Sequence, residues 1–165
     1  MARKSKFAMP PEYPDLFEAL ELGDAHGLII RGAILMEASL YQKIAERIPN
    51  NHAFERLDLS FEQLLWFAVA LDFMDERAIK PFLSFHRLRN KFAHQRNLRL
   101  DLNITKSLHS SVRKLDLDNF LNHEQERFYE AGLSSSKRYR DAPCIEQLFQ
   151  MTHFLISGIK GIDGN

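Results

Sequence analysis

Residues 25–48 read AHGLIIRGAILMEASLYQKIAERI, and this stretch decides the fold class. Its apolar side chains recur at the three- and four-residue spacing that places them on one face of an α-helix. They are Leu28, Ile29, Ala33, Leu35, Met36, Leu40 and Ile44. Pro49 and Asn50 end the pattern, because a proline cannot continue the hydrogen bonding of a helix. The stretch therefore predicts one long amphipathic helix.

The same helical spacing extends to both sides of this segment. Further helices are predicted at about 15–22, 104–115, 118–131 and 141–160. Loops or extended segments are predicted at 49–59 and 96–103. Gly132 has the position of a residue that ends a helix in the left-handed conformation. No segment shows the alternation typical of a strand.

Two helix starts are marked by polar caps. Ser60 and Gln63 form the pattern of a capping box, in which each side chain bonds to the other residue's backbone. Asp75 is expected to cap the next helix, which runs to about His94 or Gln95. We expect Pro81 to break or restart that helix, because proline lacks the backbone N–H.

These patterns predict an all-α protein. We expect a single-domain bundle of five to seven helices over residues 14–160. The prolines near the N-terminus predict a flexible arm over 1–13, and the glycine-containing tail over 161–165 is expected to fray. No internal repeat or second domain is indicated.

The composition describes a neutral globular chain. The 165 residues carry 22 basic and 22 acidic side chains, so net charge does not draw the protein to nucleic acid or membrane. The single cysteine excludes an internal disulfide and a multi-cysteine zinc site. No secretory signal and no membrane-spanning run are present. We therefore expect a cytoplasmic protein with no membrane partner, no cofactor and no metal.

The functional prediction centres on Arg89, Asn90 and His94. On a helical wheel Arg89 falls within the apolar face, where a charge is costly unless it is paired or lines a cleft. His86, Asn90 and His94 are four residues apart and form a ridge beside that face. Between His86 and Arg99 there is no acidic residue. The expected phosphate-binding residues are His86, Arg87, Lys91, Arg96 and Arg99, with a second basic cluster at Lys137, Arg138 and Arg140.

These residue types suit cleavage of an RNA phosphodiester, which carries its own nucleophile in the 2′-hydroxyl. Arg89 would hold the phosphate oxygens, His94 would transfer a proton, and Asn90 would orient one of them. One histidine is too few for separate acid and base roles. Either two copies of the chain meet at one site, or His86 fills the second role.

Non-catalytic explanations are also open. A basic cluster at the end of a helix is favoured by the helix dipole alone. Arg89 could pair with a carboxylate such as Glu37 or Asp72, and His94 could cap the last carbonyls of the helix.

The segment Arg89-Asn90-Lys91-Phe92-Ala93-His94 resembles the R-x4-6-H motif of HEPN domains. The wider similarity is to the mannitol operon repressor-like branch and covers roughly residues 24–96. It rests on residues 31–37, 59–63, 67–71 and 88–94, read as RGAILME, LSFEQ, FAVAL and LRNKFAH.

The resemblance implies a small all-α domain that forms a homodimer, with Arg89 and His94 facing the partner's pair across a two-fold axis. It implies a metal-independent endoribonuclease acting on RNA, as a toxin or a phage-defence effector, with a cognate antitoxin or regulator protein as a further partner. The alternative is a non-enzymatic regulator of the mannitol operon repressor-like type, which acts by binding protein or nucleic acid.

Overall fold

The computed structural model describes residues 14–72, 74–95, 97–115 and 118–160. The predicted arm over 1–13, the predicted tail over 161–165 and the predicted phosphate contact of Arg96 lie outside these residues. Within them the secondary structure is helical and includes no strand, which confirms the all-α class. No helix in this part of the chain is long and apolar enough to cross a bilayer.

Eight α-helices follow one another in the described ranges, with one 3-10 turn at Tyr139–Asp141 before the last of them. They are α1 (Pro14–Glu21), α2 (Ala25–Arg47), α3 (Asn51–Phe54), α4 (Phe61–Ala70), α5 (Glu76–His94), α6 (Leu102–Arg113), α7 (Asp118–Glu130) and α8 (Cys144–Lys160).

Helix α3 is the element that the sequence does not predict, so the expected five to seven helices are too few. It is one turn long, and the side chain of Asn50 accepts a hydrogen bond from the backbone N–H of Ala53 at 3.1 Å. Phe54 is only 2% exposed. Its ring lies 4.8 Å from that of Tyr41 and 6.1 Å from that of Phe67. A single turn has no readable periodicity, and the burial of Phe54 stabilises it.

The predicted caps are confirmed. The backbone N–H of Ser60 donates to Oε1 of Gln63 at 2.8 Å, and the N–H of Gln63 donates to the Ser60 hydroxyl at 3.3 Å. The carboxylate of Asp75 accepts from the backbone N–H of Arg77 at 2.8 Å. Gly132 has a φ of +71°, in the region that glycine adopts at a helix end.

The predicted break at Pro81 is wrong, because α5 is continuous from Glu76 to His94. Pro81 lies in the second turn, so its missing N–H removes a single hydrogen bond, to the carbonyl of Arg77. The side chain is buried, and its packing contributes to holding the helix on the core. The continuous helix carries the candidate site residues on one rigid element.

Helix α2 is the central element and packs against α1, α4, α5 and α8. Both α5 and α8 come close to the backbone of α2 at Gly32. A Cβ atom at Gly32 would lie 2.6 Å from Cγ2 of Thr152 and 3.2 Å from Cζ of Phe85. The absence of a side chain at Gly32 therefore sets how α5 is seated on the core.

Candidate functional site

Helix α5 carries the predicted catalytic residues beside its buried face. Phe85 and Phe92 are almost fully buried on that face. The His–Asn–His ridge, formed by His86, Asn90 and His94, follows at four-residue intervals next to it. His86 and Asn90 are half-buried, and His94, the last residue of the helix, is exposed. The ridge thus ends in an imidazole that solvent and ligands can reach.

The side chain of Arg89 points its charge toward this ridge. Arg89 is half-buried, and its Nη1 donates to Oδ1 of Asn90 at 2.9 Å. On the helix Arg89 and His94 are about 140° apart, whereas Asn90 and His94 are only about 40° apart. The contact with Asn90 therefore brings the guanidinium toward the side of the helix on which His94 lies. The positions of the residues on a helical wheel do not indicate this direction.

The structure does not support the explanation of Arg89 as a buried ion pair. Among the described residues no carboxylate, neither Glu37 nor Asp72, lies within ion-pair distance of Arg89. No described residue accepts or donates a side-chain hydrogen bond with His94 either, and the end of α5 is closed by the Gln95 N–H, which donates to the Lys91 carbonyl at 3.0 Å. The charge of Arg89 is available to an external anion.

His86 lies flat against Phe61, with ring centroids 5.0 Å apart and planes inclined by 10°. Burial lowers the pKa of His86 from its usual 6.5, the nearby charge of Arg89 lowers it further, and Glu37 partly opposes them. The neutral form of His86 is therefore favoured near neutral pH. Its backbone position is about 12 Å along the helix axis from that of His94.

Stability should depend on pH through His86. Below pH 6.5 the unfolded chain takes up a proton that the folded chain resists, because the pKa of His86 is lowered by folding. The free energy of unfolding should then fall as the pH drops from 6.5 toward the lowered value, by at most about 1.4 kcal/mol per pH unit for one proton.

Urea unfolding between pH 7 and 5 measures this slope. His86→Phe, which keeps an aromatic ring on Phe61, should flatten it. His109, whose pKa is also lowered mainly by burial, acts in the same direction, so a double replacement with His109→Gln should be flatter still. An unchanged slope in His86→Phe would contradict the assignment.

The predicted basic residues near the ridge reach solvent. Arg87 and Lys91 are exposed and lie four residues apart, next to the ridge on the outer surface of α5. Arg99 is exposed after the helix and borders a groove of about 480 Å³ that Phe92 and Cys144 also line. Burial raises the pKa of the Cys144 thiol, which favours its protonated form. The cations therefore continue from the ridge along the segment that follows α5.

The second basic cluster lies in a different place. A groove of about 1120 Å³ runs between α6, α7, the 3-10 turn and α8, and we call it the basic groove. Lys137, Arg138 and Arg140 line it, as the sequence predicts of a phosphate-binding cluster, but no residue of α5 does. The structure therefore separates the predicted site residues into the ridge and the basic groove.

Sequence reasoning missed the contribution of α6 to the basic groove. Lys106, His109 and Arg113 line it from this helix. They are three and four residues apart, a spacing that places them on one helical face. That spacing is visible in the sequence, but nothing in it indicates that this face meets residues 137–140.

Buried glutamines hold the groove's loop in place. The side-chain amide of Gln147 donates to the carbonyls of Tyr139 at 3.1 Å, Arg140 at 3.3 Å and Ala142 at 2.8 Å. Gln125, fully buried on α7, donates to the Ser134 hydroxyl at 2.9 Å. Because buried amides are costly unless they are bonded, these contacts fix the backbone that carries the basic side chains.

Within the described residues there is no group of three or more His, Cys, Asp or Glu side chains placed to hold a metal ion. Comparison of the chain with models of known protein families, with curated proteins and with solved structures finds no match.

Proposed function

We propose that the chain is a metal-independent endoribonuclease of HEPN type, with Arg89, Asn90 and His94 as its catalytic residues. The observation that supports this most directly is the contact between Arg89 and Asn90. It turns an arginine that has no carboxylate partner among the described residues toward the side of α5 that carries an exposed histidine, in a segment that has no acidic side chain. Such an arrangement binds a phosphate and offers it a proton-transfer group.

The chemistry follows from the groups present. The 2′-oxygen of the RNA attacks the phosphorus, and its proton goes to a base. The bond from phosphorus to the 5′-oxygen breaks, and an acid protonates that oxygen. Arg89 binds the non-bridging oxygens, whose charge grows in the transition state. The products are a 2′,3′-cyclic phosphate and a 5′-hydroxyl.

Acid and base both act on a single phosphate, so both must lie within hydrogen-bond reach of it. His86 is about 12 Å along the helix from His94 and is stacked on Phe61, which argues against its acting on the same phosphate. We therefore favour a homodimer in which two His94 imidazoles share one site. In this proposal the enzyme acts in the cytoplasm, as a toxin or a phage-defence effector, and an antitoxin or regulator protein restrains it.

The test is incubation of purified protein with RNA in excess EDTA. We expect cleavage to persist, to give cyclic-phosphate ends, and to fall per chain when the protein is diluted below its dimer dissociation constant. RNA that stays intact at every protein concentration, with and without EDTA, would overturn the proposal.

A second candidate function is that of a non-enzymatic regulator of the mannitol operon repressor-like type. The observation in its favour is apolar surface. Ile34 is 57% exposed and Leu57 is 49% exposed, and they border one groove of about 490 Å³ together with Tyr41. Exposed apolar patches mark protein-binding surfaces. Tight binding of a partner protein that survives His94→Ala, without RNA turnover, would favour this function.

A further inference from the structure

The basic groove concentrates charge on a neutral protein. Its lining includes five basic side chains and one acidic one, namely Lys106, Arg113, Lys137, Arg138, Arg140 and Glu126. The whole chain has equal numbers of basic and acidic residues. The groove is thus a positively charged region of the surface. It forms where α6 and the loop before α8 pack side by side.

Two of these cations have no carboxylate partner among the described residues, namely Lys106 and Arg138, and both are exposed. Lys137 pairs with Glu126 at 3.2 Å, and Nε of Arg140 lies 3.7 Å from Asp141. These pairs are on the surface, where ion pairs are weak and exchange readily for a stronger anion. The groove therefore presents cations that a ligand can bind without first breaking a buried ion pair.

We infer that the basic groove binds the sugar-phosphate backbone of single-stranded RNA, at a place separate from Arg89 and His94. The inference deepens the proposed function and rests on it for the identity of the polymer. Its location rests on the groove itself, whose basic side chains come from α6 and from the loop and turn before α8.

The shape of the groove suits a polymer better than a small ligand. Its volume of about 1120 Å³ is above the range of about 300–1,000 Å³ common for small-molecule pockets, and it is open to solvent. Aromatic rings lie among the cations: Tyr139 and His109 both line it, with ring centroids 5.7 Å apart. Cations that follow a backbone and rings that contact bases are the combination found in single-strand binding grooves.

A short segment of the chain leads from the ridge to the basic groove. Arg99 stands in the chain between His94, at the end of α5, and Leu102, which lines the basic groove. In this inference an RNA strand held in the basic groove continues along this segment toward His94. The groove would then hold the substrate while the ridge acts on it.

The experiment measures binding without cleavage. A fluorescent single-stranded RNA of about twelve nucleotides, with every 2′-hydroxyl methylated, cannot undergo attack by its own 2′-oxygen, and its anisotropy reports binding to the full chain. We expect affinity to fall steeply with salt concentration, because each phosphate contact releases counterions.

The decisive variant is Lys106→Ala with Arg138→Ala. Loss of two phosphate contacts should make the slope of log K against log salt shallower by about 1.4 and weaken binding on the order of 10- to 100-fold at about 50 mM salt. The matched control is Arg56→Ala with Lys80→Ala, which removes the same charge from exposed positions outside the groove. Equal slopes in the two double variants would overturn the inference.

The binding result and the cleavage result can be told apart. If the protein binds RNA through the groove but never cleaves it, the proposed nuclease function is rejected and the inference that the groove binds RNA is supported. If the wild type does not bind the methylated RNA, the inference fails, and an acidic protein segment becomes the better match to these cations.

Discussion

His94→Ala is expected to lower the rate of RNA cleavage by about 10²–10⁴-fold, the usual contribution of one acid–base group. His94 is exposed and ends α5, so its removal leaves the core untouched. Melting temperature should therefore stay at the wild-type value while the rate falls. The measurement is the single-turnover rate on a labelled RNA with excess protein.

The matched control is His123→Ala, another exposed histidine on a different helix. It should keep the wild-type rate. Arg89→Ala should be as inactive as His94→Ala, and Arg89→Lys should recover only part of the activity, because an ammonium cannot bind two phosphate oxygens in a fork. Wild-type rates in folded His94→Ala would exclude this histidine from the chemistry.

Gly32→Ala is expected to lower the free energy of unfolding by about 1–3 kcal/mol, the cost of extra volume in a packed core. The new methyl group would lie 2.6 Å from Cγ2 of Thr152, closer than two carbon atoms can approach. Alanine also favours a helix over glycine by up to about 1 kcal/mol. Any net loss of stability in Gly32→Ala must therefore come from the steric clash.

The chain offers a matched control at Gly158. A Cβ atom there meets nothing within 4 Å, so Gly158→Ala should stabilise the protein by about 0.4–1 kcal/mol. Thr152→Ser removes the opposing methyl group and should reduce the penalty of Gly32→Ala in a double-mutant cycle. Chemical denaturation of the four variants measures both effects. A stabilising Gly32→Ala would show that α8 moves aside freely.

Local signals account for the helices that the sequence predicts correctly. The capping box at Ser60 and the helix end at Gly132 depend on atoms within a few residues of each other, so they can be read in one dimension. The two wrong predictions, for α3 and for Pro81, concern features that depend on contacts distant in the chain. Helix α3 is stabilised by the burial of Phe54 against distant rings. Helix α5 continues through Pro81, which costs one backbone hydrogen bond in its second turn and is buried against the core.

The candidate site also has features that the sequence predicts and features that only the structure shows. Arg89, Asn90 and His94 are recognisable from residue type and spacing on one helix. The direction of the Arg89 guanidinium is not, because it depends on a side-chain bond to Asn90. Lys106 and Arg138 come from segments about thirty residues apart in sequence, and the 3-10 turn that follows Arg138 is tied to α8 by Gln147.

By itself the sequence determined an all-α chain, the position of most helix ends, and the basic segment around Arg89, because hydrogen bonding and apolar periodicity within a helix act over about four residues. Only the tertiary structure decided that α5 and α8 pack close to the α2 backbone at Gly32. It also decided that α6 and the loop before α8 line one basic groove. Those contacts join residues distant in the chain, and they exist only once the helices have packed.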